Sequence, residues 1–174
     1  MPASPEGSSR RQFLRRAALG LPVGLAACGF QLREAPSFAF STVYFNGAGN
    51  SLLVQELRRG MASAGVTVLT DPRQLNQAQL VLDVLQDQRE KVIAGRNSAG
   101  EVREFQLRLR FRFKLRTPEG KELLVPTEVL VQRDISFNET SVLSKEVEEA
   151  TLYRDMQSDM TQQLMRRLAA IREL

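Results

Sequence analysis

The sequence predicts an α+β fold, a two-layer sandwich in which two α-helices pack on one face of a mainly antiparallel β-sheet. Residues 104–116 alternate strictly between apolar and polar side chains, as in a strand with one buried face. Apolar residues recur at helical spacing over residues 141–171. Turn sequences at 95–100 and 117–120 separate three long strand-like runs. An amphipathic sheet and amphipathic helices bury their apolar sides against each other.

The first 27 residues have the features of a cleaved signal peptide. Four arginines precede a short apolar run, residues 17–27, which is far too short to span a membrane as a helix. Residues 9–15, with the sequence SRRQFLR, resemble the twin-arginine export motif. The motif favours export after folding, and the Sec route is the alternative.

Residues 25–28, with the sequence LAAC, resemble the lipobox of bacterial lipoproteins. Small side chains before Cys28 admit the signal peptidase, and the Cys28 sulfur takes a diacylglyceryl group. Two or more acyl chains anchor a protein stably where one does not. Gly29 follows Cys28, which in the lipoprotein pattern permits sorting to the outer membrane. We therefore expect a protein anchored through Cys28 at the periplasmic face of the outer membrane, with residues 28–37 as a lipidated tether and 38–174 as a single domain.

Removal of residues 1–27 changes the charge balance. The full chain has 24 basic and 20 acidic residues, of which the first 27 residues hold four and one, so the mature chain is near +1. This small charge gives no support for nucleic-acid binding. Histidine is absent, which excludes Ser-His-Asp and Cys-His catalysis and histidine-ligated metal sites. We expect no enzymatic activity, no metal and no cofactor.

The domain begins with a predicted strand at 38–45 and a turn at 47–50, and Asn50 or Ser51 caps the helix that follows. The apolar stripe of this helix consists of Leu53, Leu57, Met61 and Ala64. Gly65 ends the helix, and a short strand at 66–69 follows.

Three long strands then form a predicted meander: residues 79–93, 104–116 and 123–137. Pro126 indicates a bulge or an edge position in the third. The chain ends in a helix over about residues 141–171. Its predicted buried stripe consists of Tyr153, Met156, Met160, Leu164, Leu168 and Ile171.

Gly47 and Gly49, between a strand and a helix, invite comparison with the dinucleotide-binding fingerprint, and Asp71 lies where that fingerprint has an acid. Leu52 occupies the position of the third glycine. A meander also replaces the series of parallel strands that such folds contain. We therefore interpret the two glycines as a turn.

Basic residues line the polar side of the 104–116 strand. The row consists of Arg108, Arg110, Arg112, Lys114 and Arg116. One interpretation is a solvated face with cross-strand carboxylates such as Glu128 or Asp134. The other is a surface for an anionic partner, either a phosphate-bearing lipid or an acidic protein wall.

The meander also places the 95–100 turn and the start of the last helix at the same end of the sheet. Arg96 and Lys145 are therefore predicted to share one rim. Two cations at such a rim have the chemistry to bind a phosphate group.

The chain resembles the family of lipopolysaccharide-assembly lipoproteins, LptE, over essentially all of residues 28–174. The ordered combination of several segments carries the resemblance. They are residues 28–33 (CGFQLR), 96–97 (RN), 104–105 (EF) and 143–168 (LSKEVEEATLYRDMQSDMTQQLMRRL).

The resemblance implies a two-helix, one-sheet sandwich and two partners. One is the outer-membrane β-barrel LptD, whose lumen the lipoprotein plugs and whose assembly it assists. The other is lipopolysaccharide, bound by basic rim residues; Arg96 and Lys145 are the matching positions. The alternative function is an accessory lipoprotein of another envelope lipid-transport system.

Overall fold

The computed structural model describes residues 37–138 and 142–172. The predicted signal peptide, Cys28 and the tether up to residue 36 lie outside the described residues. In chain order the elements are β1 Thr42–Asn46, α1 Leu52–Ser63, β2 Thr67–Leu69, a 3₁₀ helix Pro72–Gln77, β3 Leu80–Arg96, β4 Val102–Arg116, β5 Glu122–Ser136 and α2 Val142–Ala169.

The five strands form one sheet in the order β2-β1-β3-β4-β5. The three long strands pair antiparallel, whereas the short β1 pairs parallel with both β2 and β3. Side chains from both helices share one apolar core with one face of this sheet. The predicted fold class is confirmed.

β4 shows the predicted alternation most clearly. Its apolar side chains at positions 107, 109, 111, 113 and 115 are buried under the helices, and the residues between them are partly or fully exposed. β5 is an edge strand, and its register against β4 shifts between Phe113 and Leu115, opposite Pro126. Both the edge and the bulge predicted from Pro126 are confirmed.

The two helices begin and end close to the predicted positions. Ser51 caps α1, since its Oγ accepts a hydrogen bond from the Val54 amide at 3.1 Å. Gly65 follows the helix with φ +85°, a conformation that favours glycine. α2 ends at Ala169 rather than near 171, and Ile171 packs against the core just beyond it.

β1 begins at Thr42, four residues later than predicted. Its first residues pair with Thr67 and Leu80, the first residues of the neighbouring strands, so residues 38–41 precede the paired part of the sheet. Phe40 is nevertheless buried in the core. Apolar residues in an irregular segment thus give the same sequence signal as a strand.

The structure also contains one parallel β-α-β unit, β1-α1-β2, beside the meander. Gly47 lies in its turn at φ +88°, and a Cβ there would lie 3.0 Å from the carbonyl oxygen of Val84. Asp71 caps the 3₁₀ helix, since its Oδ1 accepts from the Arg73 amide at 2.9 Å. Local backbone geometry therefore accounts for Gly47 and Asp71, two of the three residues that invited comparison with a nucleotide site.

A second, smaller apolar cluster lies on the opposite face of the sheet. Tyr44 and Val81 alternate with core residues along their strands and pack together with Leu69 and Ala78. Leu75 of the 3₁₀ helix packs against them. This cluster was not predicted, and it covers one corner of a face that elsewhere is mainly polar, with Val92 and Leu130 among its charged and amide side chains.

Candidate functional site

The candidate rim lies at one end of the sheet, where the β3–β4 turn, the end of β5 and the start of α2 come together. Glu104 of β4 pairs with Gly95 on one side and with Ser136 on the other. α2 begins six residues after Ser136. The predicted placement of Arg96 and Lys145 at the same end of the sheet therefore agrees with the strand register.

Arg96 is the last residue of β3 and is exposed. β3 extends to this residue, three positions past the predicted end, because Gly95 and Arg96 pair with β4 across two register shifts. The Arg96 Nη1 donates to the carbonyl oxygen of Gly100 at 2.7 Å, across the turn. Asn97 Oδ1 accepts from the backbone amides of residues 99 and 101. These bonds close the turn and hold the guanidinium of Arg96 against Gly100, beside the end of β3.

Lys145 lies in the first turns of α2 with its side chain mostly buried. Its Nζ contacts Ser136 Oγ at 3.0 Å and forms an ion pair with Glu148 at 2.8 Å. It lines a small cavity of about 80 Å³ together with Phe105, Phe137 and Lys91. The second cation of this cavity is Lys91 rather than Arg96.

Lys91 is a residue that sequence reasoning missed. It is paired with Leu107, which places it on the helix side of the sheet. Its Nζ lies 4.5 Å from the ring centroid of Phe105 and 2.6 Å from Glu149 Oε2. The available signal was the alternation of β3, which places a charged residue at an inward position once the register with β4 is known.

The basic row lies on the sheet face opposite the helices. Arg110 forms ion pairs with Glu128 of β5 at 2.5 Å and with Glu90 of β3 at 3.6 Å. Glu128 is thus a cross-strand partner, as one interpretation expected. Asp134 instead accepts a hydrogen bond from Gln106 at 2.9 Å.

Asp83 neutralises the far end of the row. It is 6 % exposed and accepts hydrogen bonds from Arg116 Nε at 2.8 Å and Asn46 Nδ2 at 2.7 Å, with Lys114 Nζ 3.9 Å away. Burial alone would raise the pKa of Asp83. The hydrogen bonds and the two nearby cations outweigh burial and hold its pKa below the usual value.

Two cations of the row are left without a carboxylate in the described ranges. Arg108 Nε donates to Gln106 at 2.8 Å, and Arg112 is exposed beside β5. The first interpretation therefore holds for the three paired cations, Arg110, Lys114 and Arg116. For Arg108 and Arg112 the second interpretation, a surface for an anionic partner, stays a prediction.

The described residues contain neither a helix that is long and apolar enough to cross a membrane nor a group of three or more potential metal-ligating side chains. The chemistry of the site is that of charged side chains on a sheet and its rim.

The chain is similar to known proteins over most of its length. The family model for LptE, described as lipopolysaccharide-assembly, matches residues 40–168. The LPS-assembly lipoprotein LptE of Yersinia enterocolitica is 27% identical over 157 residues, which are 88% of this chain and 74% of that protein.

Solved structures show the same fold. Lipoprotein B of Nitrosomonas europaea has a TM-score of 0.70 and 28% identity, and the match covers 82% of this chain and 91% of that one. A minor lipoprotein of Acinetobacter baumannii has a TM-score of 0.62 at 22% identity, with 77% and 94% covered. Rare lipoprotein B of Shewanella oneidensis also has a TM-score of 0.62, at 20% identity, with 74% and 94% covered. With a family match over residues 40–168 and a shared fold, this chain belongs to the LptE family of lipopolysaccharide-assembly proteins.

Proposed function

We propose that this protein is a non-enzymatic outer-membrane lipoprotein that plugs the β-barrel LptD, assists its assembly and binds lipopolysaccharide during insertion into the outer leaflet. The family match over residues 40–168 carries the proposal. The lipobox supports an anchor at Cys28 on the periplasmic face of the outer membrane. The three solved relatives are named lipoproteins as well.

Arg96 and Lys145 are the proposed lipopolysaccharide contacts. Arg96 is exposed at the end of β3, beside a hydrogen-bonded turn, which suits a guanidinium that receives a phosphate group. Lys145 has an ammonium partly balanced by Glu148, so a phosphate must compete with that carboxylate. We therefore assign the larger share of phosphate binding to Arg96.

The strand lengths support an orientation for the plug. The described chain enters the fold beside the start of β3, whereas the rim lies where β3 ends. β3 has 17 residues, which at ~3.3 Å per residue separates the two ends by about 55 Å. We therefore infer that, in the plug, Arg96 and Lys145 lie at the end of the domain opposite the point where the described chain begins.

The sheet face opposite the helices, which carries the basic row and is called the bare face below, is the proposed contact with the barrel. Arg108 and Arg112 offer cations there that no carboxylate of the described chain neutralises. An acidic lumen wall could pair with these two cations without breaking an existing ion pair. Arg110 and Arg116, in contrast, are already paired with Glu128 and Asp83.

Co-purification tests the proposal. The lipidated protein is extracted from its host with a mild detergent and isolated, with an unrelated outer-membrane lipoprotein as the control. We expect a large β-barrel protein to be retained by this chain and not by the control. Absence of a barrel, together with normal surface lipopolysaccharide after depletion of the protein, would contradict the proposal and favour the accessory role in another lipid-transport system.

A further inference from the structure

The outer edge of the sheet along β5 is long and regular. β5 is the last strand in the sheet order, so one of its sides has no strand beside it in residues 37–138 and 142–172. On its other side, Thr127–Ser136 pairs with residues 104–113 of β4 in one register without a shift. At ~3.3 Å per residue this stretch is about 33 Å long. We call the unpaired side of Thr127–Ser136 the β5 edge.

The β5 edge offers backbone hydrogen-bonding groups at every second residue. The amide of Phe137 donates to the carbonyl oxygen of Arg103 at 2.8 Å, which makes these two residues a hydrogen-bonded pair of the ladder. Such pairs recur at every second position of an antiparallel ladder. The backbone groups of the intervening residues therefore point away from β4; these residues are Glu128, Leu130, Gln132 and Asp134. Their four amides have no acceptor in the described part of the chain and are available to an added strand.

The other unpaired edges of the sheet are protected against strand addition, and the β5 edge is the least protected. Natural proteins protect edges with short strands, prolines, bulges and inward-pointing charges. β2 has three residues, and the part of β3 beyond its pairing with β1 carries Arg89 and Lys91 on the helix side. In β5, Pro126 and the bulge precede the β5 edge. The charge that points inward from the β5 edge, Arg133, is neutralised by Asp159 at 2.7 Å.

On the bare face, the β5 edge is apolar at its centre. Leu130 is 42 % exposed there and lies opposite Arg110 of β4. Its nearest neighbours on the same face of β5, Glu128 and Gln132, are polar. Side chains directly opposite each other in an antiparallel pair interact. An apolar side chain of an added strand, opposite Leu130, would therefore cover it.

The helix side of the β5 edge combines buried apolar side chains with an unpaired carboxylate. Val129 and Val131 are buried in the core shared with the helices. Asp155 lies one turn before Asp159 on the same side of α2 and is exposed. No cation of residues 37–138 and 142–172 lies within ion-pair distance of Asp155. A basic side chain fits this side, since its stem can lie over the valines while its charge reaches Asp155.

We propose that the β5 edge binds an extended polypeptide segment of a partner protein as a sixth strand, antiparallel to β5. Its apolar side chains lie on the bare face beside Leu130, and its basic side chains lie on the helix side toward Asp155. Main-chain hydrogen bonds supply affinity, and the alternating side chains supply selectivity. The inference goes beyond the proposed function, because it uses neither the rim nor Arg108 and Arg112, and the partner need not be the barrel.

A second copy of this chain is the other occupant that an unpaired edge would accept. Two-fold pairing of two β5 edges is isologous, so the same side of α2 from each copy would face the other copy. Each copy would then bring the unpaired carboxylate of Asp155 toward that of its partner, which disfavours association. A basic segment instead has the complementary charge.

Fluorescence anisotropy tests the proposal. A labelled peptide of alternating valine and lysine, about nine residues long, is titrated with the full lipidated protein in dodecyl maltoside. We expect N-methylation of the valines to weaken binding at least about tenfold, because it removes the amides that would donate to β5. N-methylation of the lysines is the matched control, since those amides point away from β5 in an antiparallel pair, and it should change binding less than about twofold.

The charge and the position of the site are tested on the same preparations. Asp155→Lys should weaken peptide binding about fivefold. Glu119→Lys, the same charge change in the β4–β5 turn, should leave binding unchanged. Amide hydrogen exchange should slow at the four outward-facing residues of the β5 edge when the peptide is added, and stay unchanged along β3.

Equal weakening by the two N-methylation patterns would overturn the proposal, as would equally tight binding of a valine–glutamate peptide. Unchanged binding by Asp155→Lys, or protection from exchange along β3 instead of the β5 edge, would contradict the assigned position. Protection of the β5 edge without peptide, rising with protein concentration, would show a second copy there and overturn the proposal as well. Circular dichroism confirms that each variant is folded.

Discussion

At the scale of single residues, Asp83 anchors one end of the basic row. It is buried, and it neutralises Arg116, whose side chain is 21 % exposed. We expect Asp83→Asn to lower the free energy of unfolding by about 1–3 kcal/mol, because a guanidinium is left without its carboxylate. Urea unfolding of both proteins measures the loss. Asp159→Asn removes an exposed ion pair with Arg133 and is the matched control, with a much smaller expected loss.

The lowered pKa of Asp83 gives this contribution a pH dependence. A carboxyl with a folded pKa below its unfolded value, about 3.9, stabilises the fold fully above that value. The stabilisation is lost as the pH falls through the folded pKa. The difference in stability between the unmodified protein and Asp83→Asn should therefore be constant near neutral pH and shrink below about pH 4. A difference that grows on acidification would contradict this assignment.

The rim prediction also belongs to the residue scale. We expect Arg96→Asp/Lys145→Asp to weaken lipopolysaccharide binding while leaving the barrel complex intact, since the reversed charges repel phosphate. Binding of labelled lipopolysaccharide and co-purification of the barrel are measured on the same preparations, with Arg73→Asp/Arg172→Asp as the control. Unchanged lipopolysaccharide binding in the rim variant would rule the site out.

Charge pairing shows why the site could be predicted only in part. Alternation along β4 is enough to place Arg110 and Arg112 on one face. Whether each is neutralised depends on the register with β3 and β5, which places Glu90 and Glu128 around Arg110. A shift of one residue would change every partner, and nothing local to β4 encodes it.

At the scale of elements, α2 contributes most of the helical side of the core. Met156, Met160, Leu164 and Leu168 are fully buried along one stripe. We expect Met160→Ala to cost about 2–5 kcal/mol of stability, through lost apolar contacts and the cavity left behind. Val147→Ala, in the same helix at 64 % exposure, is the comparator and should change stability little. Equal urea midpoints for the two variants would contradict the packing of α2 on the sheet.

The elements that were predicted well are those with a repeating pattern. β4 and α2 are long enough for periods of two and of three to four residues to be unambiguous. The 3₁₀ helix at Pro72–Gln77 and the parallel pairing of β1 are too short to show a period. Their form depends on long-range contacts such as the bond from Ser41 to Gln79, 38 residues apart.

At the scale of the whole molecule, the fold has two distinct ends. Residue 37 enters beside the start of β3, and the rim lies where β3 ends. The predicted tether, residues 28–37, spans at most about 35 Å when extended. If Cys28 is lipidated as proposed, a tether of this length limits how far the domain can lie from the membrane surface.

If lipidation of Cys28 determines where the protein is located but does not contribute to its folding, Cys28→Ser should change its localisation and leave its stability unchanged. We expect the variant to be lost from the outer-membrane fraction, because a chain without a thioether carries no acyl groups there. Its urea midpoint should match that of the unmodified protein, since the described core comes from residues within 38–138 and 142–172. Purified variant should still bind the barrel when both are mixed in detergent. A lowered urea midpoint would instead show that Cys28 contributes to the fold, and normal fractionation would show that the protein is held at the membrane by other contacts.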